Sequence, residues 1–233
     1  MTASLFGCKK GSSEKIVVLG LGFDQGSTTH PGCKMAPQIL RNFSNSLGLS
    51  QGYLWNLSKQ RKDFEDLSLS DLGDLNYKAH QPRESYFASI RKTIETLTSR
   101  QKIPLLLGGD HLASLPVLEA MAGLHSKFQV VQIDAHTDCQ RVADGDQPTH
   151  ANFIRFALNE KPIKKIIQIG VRGYCREVPD FPNHLIQSLP QNLRHHLLPS
   201  VPDYLSIDMD GFDPAIAPAE GHHILGGLQF SDL

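Results

Sequence analysis

Two acids and a histidine occupy every second position of "DAHTD": Asp134, His136 and Asp138. They follow the apolar run "FQVVQI" (128–133). In a β-strand, side chains at i, i+2 and i+4 point to one side, so a strand ending here projects all three polar groups together. Two carboxylates and an imidazole gathered at one spot repel, or stay poorly solvated, unless a cation sits between them. One such triplet is equally well a polar loop, so the weight falls on whether other segments supply partners. Two do. "IPLLLGG" (103–109) runs into Asp110 and His111, and "PDYLSID" (202–208) ends at Asp208 with Asp210 two residues on. Three strand ends therefore deliver metal-ligand types: His111 from the first, Asp134, His136 and Asp138 from the second, Asp208 and Asp210 from the third.

Four carboxylates and two imidazoles with no thiolate argue against structural zinc and suit Mn²⁺ better. Four carboxylate charges exceed what one divalent ion balances, whereas two ions sharing bridging carboxylates match them. A two-metal centre lowers the pKa of water and supplies a strong nucleophile at neutral pH, which points to hydrolysis.

The elements that position these groups alternate. Short apolar runs at 15–22, 103–109, 128–134, 165–171 and 202–208 lack strict polar–apolar alternation, as expected of strands covered on both faces. Helical spacing recurs in 85–100 through Phe87, Ile90, Ile94 and Leu97. Two more helices are predicted over 112–125, with Pro116 near the start, and over 150–160. The polar stretch 44–84 reads as a connection with one short strand near "DLSLSDLG". Alternating strands and helices predict an α/β fold, a three-layer α/β/α arrangement with a mostly parallel sheet, and ligand sites outside the carboxyl ends of its strands. With 233 residues the chain suits a single domain over 1–233. A net charge of −1 carries no electrostatic footprint for nucleic acid or an anionic membrane. No apolar stretch has the length of a signal peptide or a membrane span, so a cytoplasmic location is expected. Cys8, Cys33, Cys139 and Cys175 are far apart and read as reduced thiols; Cys139, beside the triplet, is a nucleophile candidate on proximity alone.

Taken in order, "GGDH" (108–111), "DAHTD" (134–138) and "SIDMDGFDP" (206–214) resemble the signature motifs of the arginase/agmatinase (ureohydrolase) family. The resemblance begins at "FDQGSTTHPGCKMAPQILR" (23–41) and runs through "IGVRG" (169–173) to "GGL" (226–228). It implies a binuclear manganese site with His111 and Asp138 on one ion, His136 and Asp210 on the other, and Asp134 and Asp208 bridging. It also implies a small guanidino substrate such as agmatine or arginine, urea as product, and a homo-oligomer. His150, in "PTHANFIR", matches the family's flexible-loop histidine, to which proton transfer is assigned. The alternative reading of that residue is a surface histidine at a helix start.

Departures are as informative. Leu112 stands where the family usually has Ser, at a position that is not a ligand. "APAEGHHILGGL" replaces the commoner "APGTGTP" loop, and its His222 and His223 read as solvated loop residues in preference to substrate contacts. Asp232 falls where arginases carry a guanidinium-binding Glu, so it is a candidate substrate contact. Arg141 is a candidate donor to a substrate carboxylate, and His195 and His196 read as exposed. The chain stops at Leu233, where the family continues into another helix and an inserted strand, so a C-terminally short, weakly stable or inactive member is one expectation. Formimidoylglutamate hydrolysis to formamide is the alternative activity, since its metal motifs look alike. Two further rivals are weaker. A phosphoesterase would add an Asn-His metal motif, and the Gly-rich "GLGFDQG" (20–26) lacks the helix start that a dinucleotide needs.

Overall fold

Apolar runs bounded by Gly and polar residues build parallel strands, and apolar residues three and four apart build the helices between them. The computed structural model describes residues 3–27, 31–47, 54–63, 68–159, 162–174 and 185–232; Cys175 lies outside them. The chain's contacts gather into two compact units, one over residues 1–25 and 31–113 and the other over 26–30 and 114–233. Among the described residues no helix is long and apolar enough to cross a membrane.

The first unit contains β1 (Lys9–Lys10), β2 (Ile16–Gly22), α1 (Ala36–Ser46), β3 (Leu54–Asn56), β4 (Arg61–Asp63), β5 (Leu69–Asn76), α2 (Arg83–Ser99) and β6 (Ile103–Leu107). Four of its strands form a parallel sheet in the order β1-β5-β2-β6, and β3 pairs antiparallel with β4. The stretch 44–84, expected mainly as a connection, thus supplies a strand of eight residues that pairs with both β1 and β2. One face of α2 is buried through Phe87, Ile90, Ile94 and Leu97, as its spacing predicts. Tyr86 stacks on Phe23 at 5.4 Å and satisfies its hydroxyl on the Leu75 carbonyl at 2.7 Å. Arg41, at the end of "APQILR", is buried and grips Asp71 bidentately at 2.7 and 2.8 Å, with Asp74 as a further partner. A buried guanidinium needs such pairing, since an unpaired buried charge is strongly disfavoured.

The second unit contains α3 (Ser114–Leu124), β7 (Phe128–Ile133), α4 (Phe153–Ala157), β8 (Ile163–Ile169), β9 (Leu185–Ser188), α5 (Leu193–His196) and β10 (Asp203–Ile207). Its parallel sheet has the order β10-β7-β8-β9. Val131, Ile167, Ile169, Phe212, Ala217 and Leu228 form a buried apolar cluster beside it. Pro116 is the third residue of α3, where its missing N–H leaves no helical bond unmade. The helix expected over 150–160 shrinks to five residues. The cause is local: the Asn152 side chain accepts the Thr149 amide at 2.7 Å, which shapes the residues before it into a turn.

Candidate metal centre

In the first unit, β6 is followed by two glycines, Gly108 and Gly109. A Cβ on Gly109 would lie 1.9 Å from the Phe23 carbonyl oxygen, and only a glycine lets the backbones close that far. The Asp110 amide then donates to that carbonyl at 2.8 Å, and its carboxylate accepts the Leu112 amide at 3.0 Å. His111 follows directly, half-buried at the start of the short 3₁₀ turn His111–Ala113.

In the second unit, the end of β7 is held from beneath. Asp134 is 1% exposed; one of its oxygens accepts the His136 amide at 2.6 Å and the other accepts the Gln132 side-chain amide at 2.7 Å. Gln132 sits opposite Gln168 of β8, whose amide donates to the Gln132 carbonyl at 2.8 Å and to the Thr137 backbone at 2.7 Å. Two glutamines inside apolar strands, at matching positions, thus aim the carboxylate. Asp138 is buried at a positive φ of 46°, a conformation Asp tolerates better than most residues. Its Oδ2 faces the same Gln132 amide at 3.5 Å.

The end of β10 is held from the side. The Asp208 amide donates to the Ile133 carbonyl at 2.8 Å, and the Asp208 side chain caps the 3₁₀ turn Met209–Gly211 by accepting the Asp210 amide at 3.2 Å. Asp210 accepts the Ala135 amide at 3.0 Å on one oxygen and faces His136 Nδ1 at 3.0 Å with the other. The ligand atoms of Asp134, His136 and Asp210 all lie within 4.8 Å of one another, and Asp134 and Asp208 also approach within that distance. Asp134 and His136 thus meet as their i, i+2 spacing predicts, whereas Asp138, expected with them, is not part of these groups among the described residues.

The electrostatics of this cluster favour a cation. Burial, with the charges of Asp208 and Asp134, pushes the Asp210 carboxyl up from its ordinary range. Hydrogen bonds to Asp134 and Asp210 push His136 up to about 10, so its imidazolium is the cation answering these acids. A hard divalent ion suits the same donors: carboxylate oxygens, and an imidazole nitrogen once its proton is gone. The residues present therefore fit a metal.

Three residues around the centre were not singled out by sequence, and a fourth was underestimated. Besides Gln132 and Gln168, Arg172 donates to six carbonyls: Gly170, Asp210, Gly211, Phe212, Ile224 and Leu225. It staples the turn after β10 to the loop at 220–225. His222, read as solvated, is half-buried with its ring 5.6 Å from His136 and 6.1 Å from His150. His223 is exposed as expected, with its ring nitrogen 2.9 Å from the Pro218 carbonyl. His150 lies half-buried next to His222, its amide donating to Gly26 at 3.3 Å. Asp232 is exposed and accepts the nearby Gln229 amide at 2.7 Å. Arg141 is exposed and lines a cavity of about 480 Å³ with Val142, Arg155, Phe156 and Asn159. Cys139 is buried, at 2% exposure, which withholds its sulfur from an external substrate.

Comparison with known proteins agrees with this geometry. The arginase family model matches residues 14–233. The mitochondrial guanidino acid hydrolase of Homo sapiens is 30% identical over 227 residues, covering 90% of this chain and 63% of its own length. The mitochondrial agmatinase of Gallus gallus is 30% identical over 227 residues, covering 90% of this chain and 65% of its own. The chain thus spans less than two thirds of the length of these two curated relatives. The crystal structure of a hypothetical agmatinase from Burkholderia thailandensis superposes with a TM-score of 0.80 at 26% identity, covering 98% of this chain and 75% of that one. The parallel sheets, the acids at their strand ends and a family match over nearly the whole sequence lead to one conclusion: this chain belongs to the arginase family.

Proposed function

We propose that this chain is a binuclear manganese amidinohydrolase that cleaves a guanidino C–N bond of an agmatine- or arginine-type substrate and releases urea. The observation that carries the reading is the convergence of Asp134, His136 and Asp210 within 4.8 Å, with Asp134 also close to Asp208. A carboxylate in reach of ligands on both sides is what a shared ligand requires. In this reading His111, Asp134, His136, Asp138, Asp208 and Asp210 would hold the two ions, with Asp134 and Asp208 as the carboxylates that both ions would share.

A guanidinium carbon is resonance-stabilised and a poor electrophile, so attack needs a strong nucleophile held close. A pair of divalent ions supplies it by lowering the pKa of water to near neutrality. The chain's own residues do the rest. The Gln132 amide and the Ala135 amide hold Asp134 and Asp210 in place. His150 delivers a proton to the departing amine, which leaves readily only when protonated. The His222 ring, stacked against His150, fixes where that proton is offered.

The test is product analysis with manganese-loaded protein on agmatine, arginine and N-formimidoylglutamate, beside elemental analysis. Urea from a guanidino substrate with two ions bound supports the reading. Formamide without urea from any guanidino compound would replace it with formimidoylglutamate hydrolysis. His150→Ala is expected to keep its metal and lose turnover by about 10²–10⁴-fold; unchanged turnover removes His150 from the mechanism.

A further inference from the structure

Glu220 has no part in the metal cluster, yet its surroundings call for a positive charge. Both of its carboxylate oxygens are withdrawn from solvent and accept no hydrogen bond among the described residues. Taking a carboxylate out of water without a donor is costly, so a native chain keeps one there only for a reason. The loop that carries it is firmly built. The Asp213 carboxylate accepts the amides of Ala215, Gly226 and Gly227 at 3.0, 2.9 and 3.3 Å and closes the loop's base. A Cβ on Gly227 would lie 2.3 Å from the Phe212 backbone, so the closing strand can lie there only as glycine. Arg172 holds the carbonyls of Ile224 and Leu225, and His222, two residues from Glu220, packs on His136 and His150. Glu220 is therefore held beside the centre.

Its electrostatics agree. After burial, the Asp210 charge is the largest influence raising the Glu220 carboxyl above its ordinary range, and Asp208 adds to it. The cluster's acids thus act on it, and His223 and Arg172 offset them without donating a hydrogen bond to it. Glu220 offers no atom to the groups of ligands within 4.8 Å, where a guanidinium head must lie to be attacked.

Resting on the amidinohydrolase reading, we propose that Glu220 is a specificity-determining residue that pairs with a second, remote cation on the substrate. The substrate class it selects is a guanidine whose tail ends in an alkylammonium, over one whose tail ends in a carboxylate. A charge-assisted pair in a water-poor site favours the cationic tail, and the same carboxylate repels an anionic one.

The experiment compares three guanidines of equal chain length, ending in an ammonium, a methyl or a carboxylate, on manganese-loaded wild type, Glu220→Gln and Glu220→Asp. Binding of 1,4-diaminobutane is measured by calorimetry on the same proteins. Wild type is expected to prefer the ammonium tail by about tenfold or more in kcat/KM, the size of one charge-assisted contact. Glu220→Gln should lose that preference through KM, keep the methyl-tailed guanidine within about twofold, and bind the diamine about tenfold more weakly. Glu220→Asp should retain part of the preference, which a purely structural role does not predict. Equal losses on all three guanidines, or diamine binding unchanged in Glu220→Gln, would overturn the proposal. Failure of the hydrolase reading looks different: wild type would release urea from none of the three, whatever the diamine does.

Discussion

β7 and β10 are paired neighbours, in register from Gln129 opposite Asp203 to Ile133 opposite Ile207, and both end in acids two residues apart. Their support differs. β7 lies between β10 and β8, and residues 128–132 are all buried. β10 is the edge of its sheet and leaves Leu205 at 58% and Ile207 at 51% exposure. Asp134 is consequently fixed by strand packing and the Gln132–Gln168 amides below it. Asp208 and Asp210 depend on lateral polar contacts: backbone bonds to Ile133 and Ala135, and the Arg172 clamp on the Asp210 carbonyl at 2.8 Å. One cluster is thus held by burial on one side and by hydrogen bonds on the other. The interior half is the part that simple strand patterns disclose, and the edge half depends on residues far off in sequence.

The largest effect should come from the shared interior ligand. Asp134→Ala removes the carboxylate common to both ligand groups, and metal retention after gel filtration is expected to disappear, a loss exceeding the ~10–100-fold that a supporting residue costs. If Asp134→Ala kept two tightly bound ions, the site would be misassigned. Next comes the clamp on the edge side. Arg172→Ala should weaken metal binding by about 10–100-fold while β7 stays protected in hydrogen exchange. Arg172→Lys should fall between, because one ammonium cannot reach six carbonyls in the geometry of a planar fork. Equal loss of protection in β7 and β10 would show that the two strands are not separately supported. The smallest effect contrasts their apolar residues. Val131→Ala should cost about 2 kcal/mol from two lost methyls and the space they leave. Leu205→Ala, opposite it in register, should stay within about 0.5 kcal/mol, since its side chain already meets solvent. Comparable losses would mean that β10 is covered in solution.

The same contrast explains what could be read from the sequence. β7 and α2 were legible because burial marks the residues themselves, as a continuous apolar run in β7 and as apolar residues three and four apart in α2, whereas the exposed β10 was marked only by a short apolar run with acids after it. β5 was expected near "DLSLSDLG" but only as a short strand, because its polar sequence, with Asp71 and Asp74 inside it, conceals its length and its place within the sheet; its acids are paired by Arg41 across 30 and 33 residues. The short α4 escaped because a single Asn side chain diverts the turn before it. Arg172 left no local signal at all, since its partners are carbonyls, which every residue carries. Gln132 and Gln168 did leave one: a polar amide within each apolar run, at positions that pair across β7 and β8.

The most direct test of the account is manganese titration of the metal-free chain between pH 6 and 9, with proton release measured in buffers of different ionisation enthalpy. His136, held at about 10 by Asp134 and Asp210, is protonated throughout that range and must give up its proton to become a ligand. The metal-free cluster is therefore favoured at low pH and the metal-bound one gains as pH rises. Two ions per chain are expected, with proton release on binding and affinity that climbs by up to about tenfold per pH unit for each proton displaced. Saturable binding with no proton release and no dependence on pH, or no binding at all, would contradict it.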